Sequence, residues 1–146
     1  MFHLEIHNRV RSSISKELFF KLLLAAEKCL LKTKRIRPRK NYRLELTLVG
    51  EIFMQRLNKM YHKKNRQTDV ISLSYFKPSM QDDFAGEIFI CVPFALRQAK
   101  KIGQPLAKEL QFLFIHGLLH CFGYDHKKLL EEVRMKRMAY KILGRT

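Results

Sequence analysis

The chain has 146 residues, of which 47% are hydrophobic, so it is long and apolar enough for one domain with a buried core. Its 29 Lys and Arg residues outnumber 13 Asp and Glu residues, and the net charge of +16 favours a polyanionic partner, either nucleic acid or an anionic membrane surface. Three scattered cysteines, no signal-peptide pattern and no long apolar run exclude a disulfide scaffold and a membrane span, and they predict a cytoplasmic protein.

The first half of the chain predicts two pairs of a strand and a helix. Apolar and polar residues alternate over residues 2–6, which is typical of a half-buried strand. A broad apolar face predicts a helix over about residues 16–31, with Ser15 as its N-cap. A second alternating strand is predicted at residues 44–48. The helix predicted at residues 51–61 has its apolar side formed by Ile52, Phe53, Leu57 and Met60.

A basic tract, KTKRIRPRKNYR, lies between the first helix and the second strand at residues 32–43. It contains seven basic residues and no acidic one, and Ile36 and Tyr42 stand among the cations. This composition predicts a platform that contacts the phosphates of a nucleic acid, and the alternative is a solvated loop.

The second half predicts two further strands and three helices. Residues 68–75 and 86–92 are rich in β-favouring residues and are joined by turn residues. Helices are predicted from Pro93 to Gly103, from Pro105 to Gly123 and through an amphipathic tail that ends at Gly144. Strict alternation of strands and helices is absent, as are repeats and linkers, so residues 1–146 are predicted to form one α+β domain.

The segment HGLLHCFGYDH, residues 116–126, predicts a metal site at the end of a helix. His116 and His120 are four residues apart and therefore lie on one face of a helix, where two imidazoles can bind one cation. Glycine tolerates the left-handed conformation that ends helices, so a turn at Gly123 can bring His126 to the same metal.

Three histidine ligands leave the fourth position of a zinc ion open, which is the arrangement of catalytic sites. Cys121 as a fourth ligand would instead make the site structural. Its position, about 100° around the helix from His120, directs the sulfur elsewhere.

The spacing of the histidines resembles a zinc-peptidase signature, but Gly117 occupies the position of the glutamate that acts there as general base. Asp125 is a candidate replacement for that base. Its more common role would be to accept the N–H of a ligating histidine and so to fix its tautomer. The missing glutamate argues against a metallopeptidase.

These residues resemble the YbeY-type endoribonucleases, a family of bacterial and organellar rRNA maturation factors. The family signature H-G-x-L-H-x-x-G-Y-D-H matches residues 116–126 at every specified position. Residues 57–72 (LNKMYHKKNRQTDVIS) are similar to an upstream segment of the family, and residues 86–91 (GEIFIC) are similar to its Gly-Asp-Ile strand. The tail, with Met138 and residues 142–144, resembles the closing helix.

The resemblance implies a small mixed four-stranded sheet packed with helices, and one zinc ion per chain bound by His116, His120 and His126. It implies metal-dependent cleavage of single-stranded RNA, with His116 in the catalytic centre, and a role in rRNA maturation and quality control of the small ribosomal subunit. A strongly basic chain suits such a substrate.

The chain departs from the family pattern at His62, which stands where the family has a functionally important arginine. A histidine can transfer a proton or, when protonated, contact a phosphate, so His62 is a candidate catalytic residue. Lys63, Lys64 and Arg66 are candidate RNA-binding residues that can replace the missing charge.

Two other functions remain open on the sequence. One is a ribosome-associated assembly protein whose zinc is mainly structural, which the departure at His62 favours. The other is a metallopeptidase, which Gly117 disfavours. Membrane binding lacks a lipidation motif and an interfacial aromatic helix, so no membrane partner is predicted.

Overall fold

The computed structural model of the chain describes residues 1–62, 68–77, 79, 81–125 and 127–144, without the side chain of residue 62. Four strands in this part of the chain form one mixed sheet: β1 (Phe2–Asn8), β2 (Tyr42–Val49), β3 (Val70–Ser74) and β4 (Phe84–Cys91). Their order is β1-β2-β4-β3. The pairs β1–β2 and β2–β4 are parallel, and β3 runs antiparallel to β4 at one edge of the sheet.

Five helices in the described residues pack on this sheet: α1 (Glu17–Lys32), α2 (Glu51–His62), α3 (Val92–Ile102), α4 (Leu106–Cys121) and α5 (Leu129–Ile142). The predicted α+β class and mixed four-stranded sheet are therefore confirmed. No helix in the described residues is both long and apolar enough to cross a membrane.

The main core lies between the sheet and helices α1, α4 and α5. Leu44, Leu46 and Leu48 alternate along β2 and are all buried there, because every second side chain of a strand points to the same face. On the opposite face, α2 covers a smaller apolar cluster formed by Val49, Met54, Ile71 and Cys91.

Two local predictions were wrong. Lys16, rather than Ser15, occupies the N-cap of α1, and no side chain caps that helix. The Ser15 carbonyl instead accepts a hydrogen bond from the Leu18 N–H at 3.3 Å, which extends the first turn backwards.

The predicted apolar side of α2 is only partly the side that packs. Ile52 and Met60 are 71% and 69% exposed, whereas Met54 and Asn58 are buried. Phe53 and Leu57 pack against the cluster from its margin. Hydrophobicity alone therefore predicted the wrong packing face for α2, because the polar Asn58 lies on the face that contacts the sheet.

Helix α4 lies against the sheet with almost no space between their backbones. A Cβ atom at Gly117 would lie 2.8 Å from Ile88 Cγ2, and one at Gly86 would lie 2.4 Å from Cys121 Sγ. Gly117 and Cys121 are one helical turn apart, and Gly86 and Ile88 are on the same face of β4. Ile88 of β4 thus packs over Gly117, and Cys121 of α4 packs over Gly86. These two contacts fix the distance of α4 from the sheet and its rotation about its own axis.

We expect Gly117→Ala to destabilise the fold. Alanine gains up to about 1 kcal/mol over glycine inside a helix, but overpacking a dense core costs about 1–3 kcal/mol, and here the added methyl meets the branched Ile88 side chain. Urea denaturation of wild type and variant gives the difference in free energy of unfolding.

Gly50→Ala is the matched control, because an added Cβ there meets no atom within 4 Å. It should be clearly less destabilising than Gly117→Ala. Equal stability of the two variants would contradict the proposed contact between α4 and β4.

Candidate metal centre

His116 and His120 lie on the last two turns of α4, on the face that adjoins β3. Their Nε2 atoms are 3.2 Å apart, and the rings meet edge to face with centroids separated by 4.7 Å. The sequence predicted this convergence from the four-residue spacing. Which ring nitrogen carries a proton is a matter of tautomer, so the geometry serves either a direct hydrogen bond or a shared cation.

The separation of the two nitrogens fits a shared zinc ion. Two Zn–N bonds of 2.0–2.1 Å at a tetrahedral angle place their nitrogens about 3.3–3.4 Å apart. The observed 3.2 Å is close to this value, so the spacing of the two nitrogens fits a shared zinc ion.

The end of α4 is built to reverse the chain. Gly123 has φ +90°, its N–H donates to the His120 carbonyl at 3.1 Å, and the Tyr124 N–H donates to the Leu119 carbonyl at 3.0 Å. This pair of bonds is the Schellman motif, which satisfies the last carbonyls of a helix through a left-handed residue. The chain therefore turns at Gly123, as predicted. His126, the predicted third ligand, lies outside the described residues.

Residues beyond the turn are anchored separately from the histidines. Tyr124 is buried, and the Arg35 guanidinium lies over its ring at 4.3 Å. Asp125 is half-buried in a small cavity that Arg35 and Arg134 also line. The described walls of the histidine cavity do not include Asp125, so its role as a base or as a support for His126 remains a prediction.

The two histidines open into a cavity of about 390 Å³ whose other described wall is residues 68–72, the start of β3. These residues belong to the segment 57–72 that is similar to the family, but no pattern in the sequence marked Asp69 as a site residue. Burial raises the pKa of the Asp69 carboxyl above its usual value, although a hydrogen bond from the Val70 N–H to Oδ1 at 2.8 Å opposes the shift. The fold thus places a desolvated carboxyl in the wall of the histidine cavity.

The packing of α4 explains the absence of a glutamate at position 117. A side chain there would point into the sheet, with its Cβ only 2.8 Å from Ile88 Cγ2. The general base of the peptidase signature is therefore incompatible with the position of this helix.

Cys121 is not placed to bind the same metal as the histidines. It is fully buried against Gly86, and its sulfur lies 3.9 Å from the Leu73 carbonyl oxygen. Burial also raises the pKa of the thiol to about 12. The sulfur points to β3 and β4, in agreement with the expectation from its position on the helix.

The other predicted contact residues are only partly visible. Residue 62 ends α2, but the structure does not describe its side chain, and Lys63, Lys64 and Arg66 lie outside the described residues. These assignments remain predictions.

The basic tract differs from the predicted platform. Its cations are largely exposed, but Ile36 and Tyr42 are buried in the core. The Tyr42 hydroxyl accepts a hydrogen bond from the Arg37 N–H at 3.0 Å. Neither apolar side chain is available to stack on a base, because both hold the tract onto the sheet.

A second group of possible ligands, which sequence analysis missed, lies on the face of the sheet opposite α4. Ligand atoms of Glu5, His7 and Glu45 are within 4.8 Å of one another. The signal was the two-residue spacing in β1, combined with the register that pairs Glu5 with Glu45. Glu5 and His7 are exposed, and the group is joined by ion pairs, Glu45 with Arg43 and His7 with Glu5.

Comparison with known proteins agrees with the family resemblance of the sequence. The model of the family described as Endoribonuclease YbeY matches residues 5–146. The Endoribonuclease YbeY of Ureaplasma parvum serovar 3 is 34% identical over 145 residues, covering 97% of this chain and 90% of that protein. The one from Phytoplasma australiense is 37% identical over 108 residues, covering 72% of this chain and 75% of that protein.

Among solved structures, a Thermotoga maritima protein determined in solution aligns with a TM-score of 0.63. The alignment covers 99% of this chain and 90% of that one at 22% identity, and it shows a likeness of fold alone.

We expect His116→Ala to weaken zinc binding by at least about 100-fold. Loss of a group that merely supports a ligand already costs about 10–100-fold in affinity, and His116 is proposed as a ligand itself. Competition with a chromogenic zinc chelator measures the affinity. His7→Ala is the control and should bind zinc as the wild type does. The reverse pattern would move the site to Glu5, His7 and Glu45.

The buried carboxyl predicts a distinct pH dependence of stability. Folding raises the pKa of Asp69, so the folded protein holds this proton more tightly than the unfolded chain does. The resulting stabilisation is fully present below the pKa of the unfolded state and is lost as the pH rises through the pKa of the folded state. Asp69→Asn cannot ionise, so it should gain stability relative to wild type between about pH 3 and pH 7. Urea unfolding of the metal-free proteins at several pH values measures this difference.

Asp82→Asn is the control, for which the stability relative to wild type should change with pH in the opposite direction. A hydrogen bond from the Phe84 N–H lowers the pKa of Asp82, so that variant should lose relative stability over the same pH interval. A stability difference for Asp69→Asn that does not change with pH would show that its carboxyl is not desolvated.

Proposed function

The chain belongs to the Endoribonuclease YbeY family, and we propose that it is a zinc-dependent endoribonuclease specific for single-stranded RNA. We further propose that it acts in the cytoplasm on rRNA, in maturation and quality control of the small ribosomal subunit. The observation that carries the catalytic part is the histidine pair, whose nitrogens lie 3.2 Å apart in a cavity at the end of α4.

The proposed metal ligands are His116, His120 and His126, for one zinc ion per chain. When bound, zinc supplies Lewis acidity toward a phosphoryl oxygen. His116 and His120 would hold the ion as neutral imidazoles through their Nε2 atoms, which lie 3.2 Å apart. Their position is set by the packing of α4 on β4, so they need little reorganisation on binding.

The substrate itself supplies a nucleophile, so no carboxylate at position 117 is needed to activate a water molecule. The 2′-oxygen of RNA attacks the neighbouring phosphorus, its proton passes to a base, for which His62 and Asp125 are the proposed candidates, and the 5′-oxygen leaves as its bond to phosphorus breaks. Cleavage passes through a negatively charged pentacovalent phosphorus, which nearby cations stabilise. A chain with a net charge of +16 is suited to this charge, whereas peptide hydrolysis gains nothing from it.

His62, Lys63, Lys64 and Arg66 are proposed to contact the RNA backbone beside the metal. They lie two to six positions before Thr68, which lines the histidine cavity, and this supports the assignment. His62 would replace the arginine of the family as a phosphate contact or as a proton carrier. Asp125 is proposed to support His126 or to serve as a base.

The second candidate function is a ribosome-associated assembly protein with a mainly structural zinc. The histidine at position 62 favours it, because histidine lacks the permanent two-pronged charge of arginine. A metallopeptidase is disfavoured by the packing at Gly117.

The test is cleavage of a labelled single-stranded RNA by the zinc-loaded protein, beside His120→Ala purified in the same way. We expect the variant to be at least about 100-fold slower, because it loses a group that organises charge stabilisation at the phosphate. The same sequence in duplex form should resist cleavage by the wild type.

Each failure has a separate meaning. Equal cleavage by both proteins would identify a contaminating ribonuclease. No cleavage by a wild type that holds one zinc ion per chain would favour the assembly protein. Cleavage of casein would support the metallopeptidase hypothesis instead.

A further inference from the structure

A second, larger cavity adjoins the candidate metal centre. It measures about 720 Å³ and lies between α3, α4 and α5. Asp69 lines both cavities, and the Phe112 ring, which faces the larger one, lies 6.0 Å from the His116 ring. Glu109, Phe112, His116 and His120 follow one another at spacings of three or four residues, so they form a single stripe along α4 that runs from one cavity to the other.

The deep side of this cavity holds acceptor groups. Glu109 is only 6% exposed, and the Gln104 amide donates to its Oε2 at 2.6 Å. With the Gln98 amide oriented to satisfy its neighbours, its nitrogen donates to Glu109 Oε1 at 3.0 Å and to Asp69 Oδ2 at 3.3 Å. Both Glu109 oxygens thus act as acceptors in the wall of this cavity, and a carboxylate oxygen can accept more than one hydrogen bond.

The sides of the cavity are aromatic and its rim is basic. Phe94, Phe112 and Tyr140 come from three different helices, and Lys101 and Arg97 stand at the opening. Arg97 lies over the Phe94 ring at 5.5 Å and forms an ion pair with Glu51. Flat aromatic surfaces beside cations are the means by which proteins bind unpaired bases of single-stranded nucleic acid.

We propose that this cavity binds an unpaired nucleobase of the RNA, next to the phosphodiester at the metal centre. The proposal rests on the proposed ribonuclease function and adds a base preference to it. Two carboxyl groups repel a phosphate, so the base enters the cavity and its phosphate stays at the basic rim. Glu109 accepts hydrogen bonds, and therefore favours a base with an exocyclic amino group, such as cytosine, over uracil, which presents a carbonyl oxygen there.

The test uses nucleosides, because they carry no phosphate that could bind elsewhere on the basic surface. The zinc-loaded, ¹⁵N-labelled protein is titrated with cytidine, uridine or ribose, and backbone amide shifts are followed by NMR. Cytidine should shift the amides of α3 and α4 that line the cavity and should bind about tenfold more tightly than uridine. Ribose should cause no shift.

Tyr140→Ala should weaken cytidine binding by about tenfold, the effect typical of a lost stacking partner. Phe20→Ala is the matched control: Phe20 and Tyr140 are both 41% exposed, but Phe20 lies on α1, away from the cavity. Its affinity for cytidine should equal that of the wild type. Equal binding of cytidine and uridine, or shifts confined to other surfaces, would overturn the proposal even if no variant were made.

Cleavage of RNAs that carry cytosine or uracil beside the cut site separates this proposal from the one on which it rests. Cleavage that depends on His120 but not on the neighbouring base overturns the base pocket alone. If the protein binds nucleosides in the cavity but does not cleave RNA, the ribonuclease function is overturned. The proposed position of the base next to a cleaved phosphodiester is then overturned as well. A faster reaction next to cytosine, lost in Tyr140→Ala, supports both.

Discussion

The direct packing of α4 on β4 is the contact on which the rest of the structure depends. Gly117 receives Ile88 and Gly86 receives Cys121, so the helix can neither rise from the sheet nor rotate on it without breaking one of the two pairs. The surrounding helices α1, α3 and α5 all pack against α4 and inherit its position. Dense interiors transmit such constraints because they have few voids to absorb a shift.

This contact determines which element each side of α4 faces. Gly117 and Cys121 face the sheet, which leaves His116 and His120 beside the start of β3. The same rotation turns Glu109 and Phe112 toward α3 and α5. The missing peptidase glutamate, the place of the two imidazoles beside β3 and the shape of the neighbouring cavity therefore all depend on the packing of α4 on β4.

Much of this arrangement was predictable from the sequence, and the exceptions have definite reasons. Periodicity located the helices and strands, and the spacing of His116, His120 and Gly123 predicted the paired imidazoles and the turn. Periodicity carries no information about strand order, however, so the place of β4 between β2 and β3 came only with the structure. Ile36 and Tyr42 were interpreted as parts of a binding surface because they stand among cations in the sequence, but both side chains are buried. Asp69 escaped notice because its burial depends on Gln98 and α3, which are distant in sequence.

The charge distribution supports a division of roles within the proposed site. The chain has only 13 acidic residues against 29 basic ones, so an unspecific basic surface would suffice to attract RNA. Asp69 and Glu109 nevertheless line the larger cavity beside the histidine cavity, where glutamine amides donate hydrogen bonds to both carboxyl groups. Carboxylates placed there repel a phosphate, and burial raises the cost of charging such a group. Their position is reasonable if the basic rim holds the phosphates while the carboxyl groups select the base that enters beside them.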